Sequence, residues 1–230
     1  MPIDDNTQSR DAVLARVRAA LGRRGSDESA RAAAAHAYIA AHRQGPRPRP
    51  ATDSVGRFVT RAGDMESTVE RVATLDDVAP AIGRYVLALN ATCADPEQDP
   101  HAGVCWPEFG WLDWKAAGIT IESRPTVGHD ALGVTGCYCA VAETGTLVFV
   151  TGGETPTGTF LLPETHIAIV RADQIVPGME DAFARIRAEY ASAWPRAINF
   201  VSGPSRTGDI EQTIVLGAHG PRRLHIVLVG

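Results

Sequence analysis

A chain of 230 residues that is 44% hydrophobic is long enough to bury a sizeable core as one large domain or two small ones. Its net charge of -5, with no long basic run, argues against nucleic acid as the partner. The opening Met1-Pro-Ile-Asp-Asp-Asn is acidic and lacks the apolar segment of a signal peptide, and no stretch reaches membrane-spanning length, so the expected compartment is cytoplasmic.

In chain order, Ser9 is placed to cap a first helix carrying Val13, Leu14, Val17 and Leu21 on one stripe, with Gly22 at its end. A second, alanine-rich helix is predicted over 30–43. Gly45-Pro-Arg-Pro-Arg-Pro50 then enforces an extended segment, because alternating prolines remove donors and disfavour helix. Residues 1–50 read as a helical arm with a proline-rich linker, and 51–230 as an α/β domain.

That domain opens with a short helix near 55–62 and a strand near 68–73. Thr74-Leu-Asp-Asp77 has capping-box-like spacing for a helix running to about Leu89. Short apolar strands follow near 103–106 and 118–122, and the alternation suggests a largely parallel sheet. Three of the four tryptophans fall within 106–114, as a hydrophobic plug under a loop or as a ligand or partner surface.

Cys93, Cys105, Cys137 and Cys139 fit neither a disulfide framework nor a cluster, since no C-x-x-C occurs. Cys137 and Cys139, two apart in a predicted strand, read as small core residues on one face. No G-x-G-x-x-G follows a strand, so neither nicotinamide nor flavin is expected, and any electron transfer needs a cluster carried elsewhere.

The second half holds the candidate chemistry. Two apolar runs flank Glu143-Thr-Gly-Thr146, which leaves a carboxylate at the junction of core strands. A charge there is costly unless solvated, paired or functional. Glu143 is either a nucleophile, base or ligand anchor, or a hairpin carboxylate bonded to nearby N–H groups. His166, directly before a predicted strand, faces a site or is structural. An amphipathic helix over 179–194, with Met179, Phe183, Ile186, Tyr190 and Trp194 at helical spacing, reads as core and is ended by Pro195.

Between the strands at 197–201 and 224–229 lies a turn with Ser202, Gly203, Ser205, Arg206, Thr207 and Asp209, followed by a possible short helix over 210–216. Hydroxyls, a guanidinium and free N–H groups at a helix start suit a phosphate or carboxylate. The same residues also serve ordinary turns, caps and surface ion pairs.

Four segments, A-E-T-G-T-L-V (142–148), L-P-E-T-H-I (162–167), S-G-P-S-R-T-G-D-I-E (202–211) and G-A-H-G-P (217–221), together and in this order resemble the LUD-domain family, in particular its lactate-utilization protein C branch. The resemblance implies the fold of ribose-phosphate isomerases and CoA transferases, a mixed sheet flanked by helices. It also implies work alongside two iron–sulfur partner proteins that oxidise L-lactate to pyruvate, with the clusters on the partners and no cofactor or metal in this chain. Its motifs supply the ligand-binding candidates Thr144, Gly145, Thr146, His166, Ser202, Gly203, Ser205, Arg206, Thr207, Asp209 and His219. Glu143 falls where CoA transferases carry their acidic nucleophile, so a free-standing transferase or isomerase is the alternative reading.

Overall fold

The computed structural model describes residues 5–21, 28–49, 51–89, 99–207, 215–217 and 219–230. They fall into two units, Met1–Pro48 and Arg49–Gly230. The first holds α1 (Asp5–Ala20) and α2 (Glu28–Ala40), followed by an extended segment. Ser9 lies inside α1 instead of capping it. The stripe has little burial: Val13, Val17 and Leu21 are exposed, as are Tyr38 and Ile39 of α2.

The second unit begins with α3 (Ser54–Asp64), capped by Asp53, whose carboxylate accepts from Gly56 N–H at 2.8 Å. Then come β1 (Thr68–Val72) and α4 (Val78–Ala88). The expected capping box is present: Asp77 accepts from both the Thr74 N–H, at 3.0 Å, and the Thr74 hydroxyl, at 2.8 Å. A 3-10 turn over Leu75–Asp77 leads into α4. The chain continues through β2 (Ala102–Cys105), β3 (Thr120–Ser123), β4 (Leu132–Thr135), β5 (Cys139–Val141) and β6 (Thr146–Val150). After α5 (Gly158–Leu161) follow β7 (Thr165–Arg171), β8 (Ile175–Val176), α6 (Met179–Glu189), β9 (Ile198–Val201), β10 (Arg206–Thr207), β11 (Val215–Leu216) and β12 (Arg223–Val229).

Six strands form an all-parallel sheet in the order β1-β12-β7-β4-β2-β3. Its two longest inner strands, Thr-His-Ile-Ala-Ile-Val in β7 and Leu-His-Ile-Val-Leu-Val in β12, are buried along these runs, as apolar runs covered on both faces must be. A second, mixed sheet runs β8-β5-β6-β9. A small antiparallel pair, β10-β11, stands apart from both, and the α/β class with sheets flanked by helices is as expected.

Register fixes how these layers stack. His225 in β12 stacks on Tyr85 of α4 at 3.7 Å and pairs in register with Ile167, while its neighbour Leu224 pairs with His166. Successive residues of a strand face opposite sides, so His166 points away from α4, and it meets Phe149 of β6 at 5.6 Å. The layers are therefore helix, parallel sheet, mixed sheet, helix. Alternation runs through β6 as well: Leu147 and Phe149 join the main core, and Val148 packs with Ala182 and Ile186 of α6.

Two expectations fail here. Helix α6 stops at Glu189, before Pro195, which leaves Trp194 outside it and exposed; within the helix Phe183 is exposed too, and only Ala182 and Ile186 are fully buried. The stripe continues in sequence past the point where there is core to cover. Cys137 lies ahead of β5, in a non-strand segment, although it and Cys139 are both buried. Burial pushes the thiols of Cys105 and Cys139 up to about 11 and that of Cys137 higher still, so they stay protonated at neutral pH. Cys93 lies outside the described residues. The tryptophan-rich segment is mostly a plug: Trp106, Phe109, Leu112 and Trp114 are buried, with only Trp111 among its large groups turned out. Both buried indoles find carbonyls, Trp106 that of Pro156 and Trp114 that of Phe109.

Candidate functional site

The stretch Val141 to Thr146 folds as a hairpin, with β5 and β6 antiparallel and Gly145 N–H donating to Val141 C=O at 2.9 Å. Gly145 adopts φ +67, and a Cβ there would lie 2.5 Å from Ala62 N, so the hairpin tip rests on the last turn of α3 as only glycine allows. Gly203, at φ +80, sits in the same way against the backbone carbonyl of Met65, just beyond α3. One helix end thus seats both loops.

Between them runs a chain of hydroxyls: Thr144 Oγ1 to Thr146 Oγ1 at 2.7 Å, and Thr146 Oγ1 to Ser202 Oγ at 2.7 Å. Three hydroxyls carry three protons, and two are used inside the chain. The third is donated outward from Thr144 or from the exposed Ser202 when the bonds run in one direction, and stays on Thr146 when both end hydroxyls donate to it. Thr146, 1% exposed, is the buried middle member.

Arg206 follows Ser202 by four residues and pairs with Glu66 at 3.2 Å. Glu66 is a non-glycine residue at φ +64, in the turn that ends α3, and nothing in its sequence context marked it. Among the described residues this is the only ion pair of a guanidinium with five donors, which leaves it capacity for a further acceptor there. Ser67 Oγ, next in the chain and buried, has no hydrogen bond among the described residues.

Backbone bonds tie in the remaining motifs. Ser205 N–H donates to Pro221 C=O at 2.8 Å, and Gly217 N–H to Ser205 C=O at 3.0 Å. The N–H groups of Arg222 and Arg223 converge on Glu164 C=O, and the Glu164 carboxylate meets Arg223 at 3.2 Å. The described parts of all four motifs therefore gather at the amino ends of β1, β7 and β12. Glu143 is half-buried in the hairpin turn, and its carboxylate makes no hydrogen bond or ion pair among the described residues.

The remaining candidates fall elsewhere. His166 is in the core, 1% exposed, with Nε2 on Thr135 Oγ1 at 2.8 Å and burial lowering its pKa to about 3. Phe149 and Phe160 flank it, so it is a neutral buried group and not part of the hydroxyl cluster. His219 is exposed. Arg206 and Thr207 form β10, antiparallel to β11, so Val215–Leu216 is strand where a helix was expected. Gly208 and Asp209, with the rest of 208–214, lie outside the described residues. Among the described residues no group of three or more His, Cys, Asp or Glu is placed to hold a metal, and no helix is long and apolar enough to cross a membrane.

The class these features define is an α/β protein of two facing sheets with a loop cluster at the amino ends of the parallel strands. Residues 108–229, more than half of the chain and containing almost all of that cluster, match the LUD domain family, and the chain belongs to it. Among similar proteins is lactate utilization protein C of Bacillus licheniformis, 37% identical over 129 residues, 54% of this chain and 53% of that one. Another is lactate utilization protein C of Geobacillus kaustophilus, 30% identical over 172 residues, 68% of this chain and 70% of that one. The match spans about half the length of the Bacillus relative. A crystal structure of a DUF162 family protein from Deinococcus radiodurans shares the fold, with a TM-score of 0.56 at 22% identity, covering 80% of this chain and 100% of that one.

Proposed function

We propose that this chain is the non-redox, small-molecule-binding member of an L-lactate utilization system, acting beside two iron–sulfur proteins that carry the electrons from lactate. The observation that carries the reading is the match to proteins named for lactate utilization, within a family whose matched residues include the hydroxyl chain and Arg206. The site's chemistry agrees with it: a cluster of hydroxyls and a guanidinium with a single ion pair among the described residues suit a small carboxylate or phosphate. Deleting the gene in its own host should abolish growth on L-lactate and leave growth on pyruvate intact. Restoring it with Arg206→Gln should rescue poorly. Full growth of the deletion strain on L-lactate would overturn the role.

A second reading rests on Glu143, whose half-buried carboxylate, without a partner among the described residues, adjoins the hydroxyl chain in the manner of an acidic nucleophile or base. It makes the chain a free-standing transferase or isomerase. Turnover of an acyl-CoA or sugar phosphate by the purified protein, lost in Glu143→Gln, would decide for it.

A further inference from the structure

At the opposite end of the parallel sheet, strand order changes direction. From β2 the chain goes to β3 on one side, then crosses to β4 on the other and continues outward to β7. In open α/β sheets the crevice outside the carboxyl ends of strands at such a switch is where ligands bind. Here it is formed by Trp106 and Glu108 after β2, Gly136 and Cys137 after β4, and Arg171 at the end of β7.

The crevice has two lobes, one of about 390 Å³ and one of about 110 Å³, and Glu108 and Cys137 line both. The larger is walled by Trp106, Tyr138, Tyr190 and Val150, and is of the size that small-molecule sites occupy. Its aromatic groups are already engaged elsewhere by their polar tips, Trp106 with Pro156 and Tyr138 with Glu189, so they offer it mainly apolar ring surface. The smaller lobe is of mixed character, with Glu108, Arg171 and Gln174 beside Leu75, Phe109 and Ile169.

Glu108 is exposed along one side, but its carboxyl reaches in over the end of β4. A Cβ on Gly136 would lie 2.6 Å from Glu108 Oε1, so the glycine is what admits the carboxyl. There it has no hydrogen-bond partner among the described residues. Arg171 holds Asp173 through Nε at 3.0 Å and Nη2 at 3.4 Å, which leaves Nη1 free of that pair. Gln174 fixes the rim: its Nε2 donates to Cys137 C=O and its Oε1 accepts from Arg171 N–H, each at 3.0 Å. Acceptor and cation are thus mounted on bound backbone ahead of any ligand.

We propose that this crevice binds an aryl-substituted 2-hydroxy or 2-amino carboxylate, its ring in the aromatic lobe, its carboxylate on Arg171 and its hydroxyl or ammonium donating to Glu108. The site is separate from the hydroxyl chain, which lies at the strands' amino ends. Its fate is therefore independent of the lactate reading.

The test is calorimetric titration of the full chain with L-3-phenyllactate and with L-phenylalanine, which tell a hydroxyl donor from an ammonium. At least one should bind saturably, and loss of a charge-assisted contact should weaken it about tenfold or more in Arg171→Gln and in Glu108→Ala. Arg206→Gln should bind like wild type. Both substituted side chains lie at the surface, and an unchanged melting temperature will establish that the variants are folded. The proposal falls if neither probe saturates, if folded Arg171→Gln and Glu108→Ala bind as wild type does, or if Arg206→Gln is the variant that loses binding.

Discussion

His166 and His225 sit on opposite faces of the parallel sheet, one against Phe149 and Phe160, the other under Tyr85, and both are buried. His225 keeps one hydrogen bond, Nδ1 to Thr68 Oγ1 at 2.8 Å, while its Nε2 has none among the described residues. Loss of solvent disfavours the charged imidazole, lowering His166 to about 3 and His225 to about 4 from an ordinary 6.5. Between those values the unfolded chain binds protons that the folded one refuses. Their contribution to stability is therefore complete above about pH 6.5 and is lost as pH falls toward 4. Each histidine contributes at most about 1.4 kcal/mol per pH unit in that window. Glu108 works against them, because burial raises its pKa and the folded state gains that proton first. Asp130, lowered through its bonds to Arg124, Thr126 and the Val127 N–H despite burial, adds acid sensitivity only at still lower pH. With two histidines against one carboxyl, the melting temperature should fall steadily from pH 6.5 to 4.5. A flat profile over that range, read by calorimetry, would contradict their neutral burial.

At the scale of elements, the end of α3 does most to assemble the candidate site, although the helix contributes few residues to it. It seats the hairpin at Gly145, the turn at Gly203, and through Glu66 the guanidinium of Arg206. Gly145→Ala would put a side chain both in the left-handed region and into the backbone of Arg61 and Ala62. We expect it to cost more than about 2 kcal/mol, since strain and overlap add. Gly153→Ala, with nothing within 4 Å and no positive φ, should stay within about 0.5 kcal/mol. Urea melts of the two variants give the comparison; equal midpoints would mean the hairpin does not depend on that seat. These contacts also mark how far the sequence could be read. The capping box at Thr74–Asp77, the hairpin around Glu143 and the buried runs of β7 and β12 rest on local pattern, and local pattern was visible. Glu66 was not, because its role comes from a left-handed turn that places it against a residue 140 positions on. The two-residue strands β8, β10 and β11 are too short to carry any periodicity. The carboxyl-end crevice depends on strand order, which no window of sequence contains.

At the scale of the whole molecule, stability is concentrated in the second unit. Every buried hydrophobic side chain among the described residues comes from Phe58 or later, and the main cluster runs from α3 through β12 without drawing on the first 48 residues. Hydrophobic stabilisation scales with the apolar area removed from water, and helices whose larger apolar groups stay exposed contribute little of it. Isolated helices of 16 and 13 residues are also marginal in water on their own. A chain starting at Arg49 should therefore fold and melt cooperatively, with its midpoint within a few degrees of the full chain, where each kcal/mol corresponds to about 2–4 °C. Calorimetry on both chains checks this. Loss of a cooperative transition in the shorter one would mean that the first unit supplies stability its exposed side chains do not account for. Retained melting together with failure to restore growth on L-lactate in the deletion strain would instead assign the arm to assembly with partners.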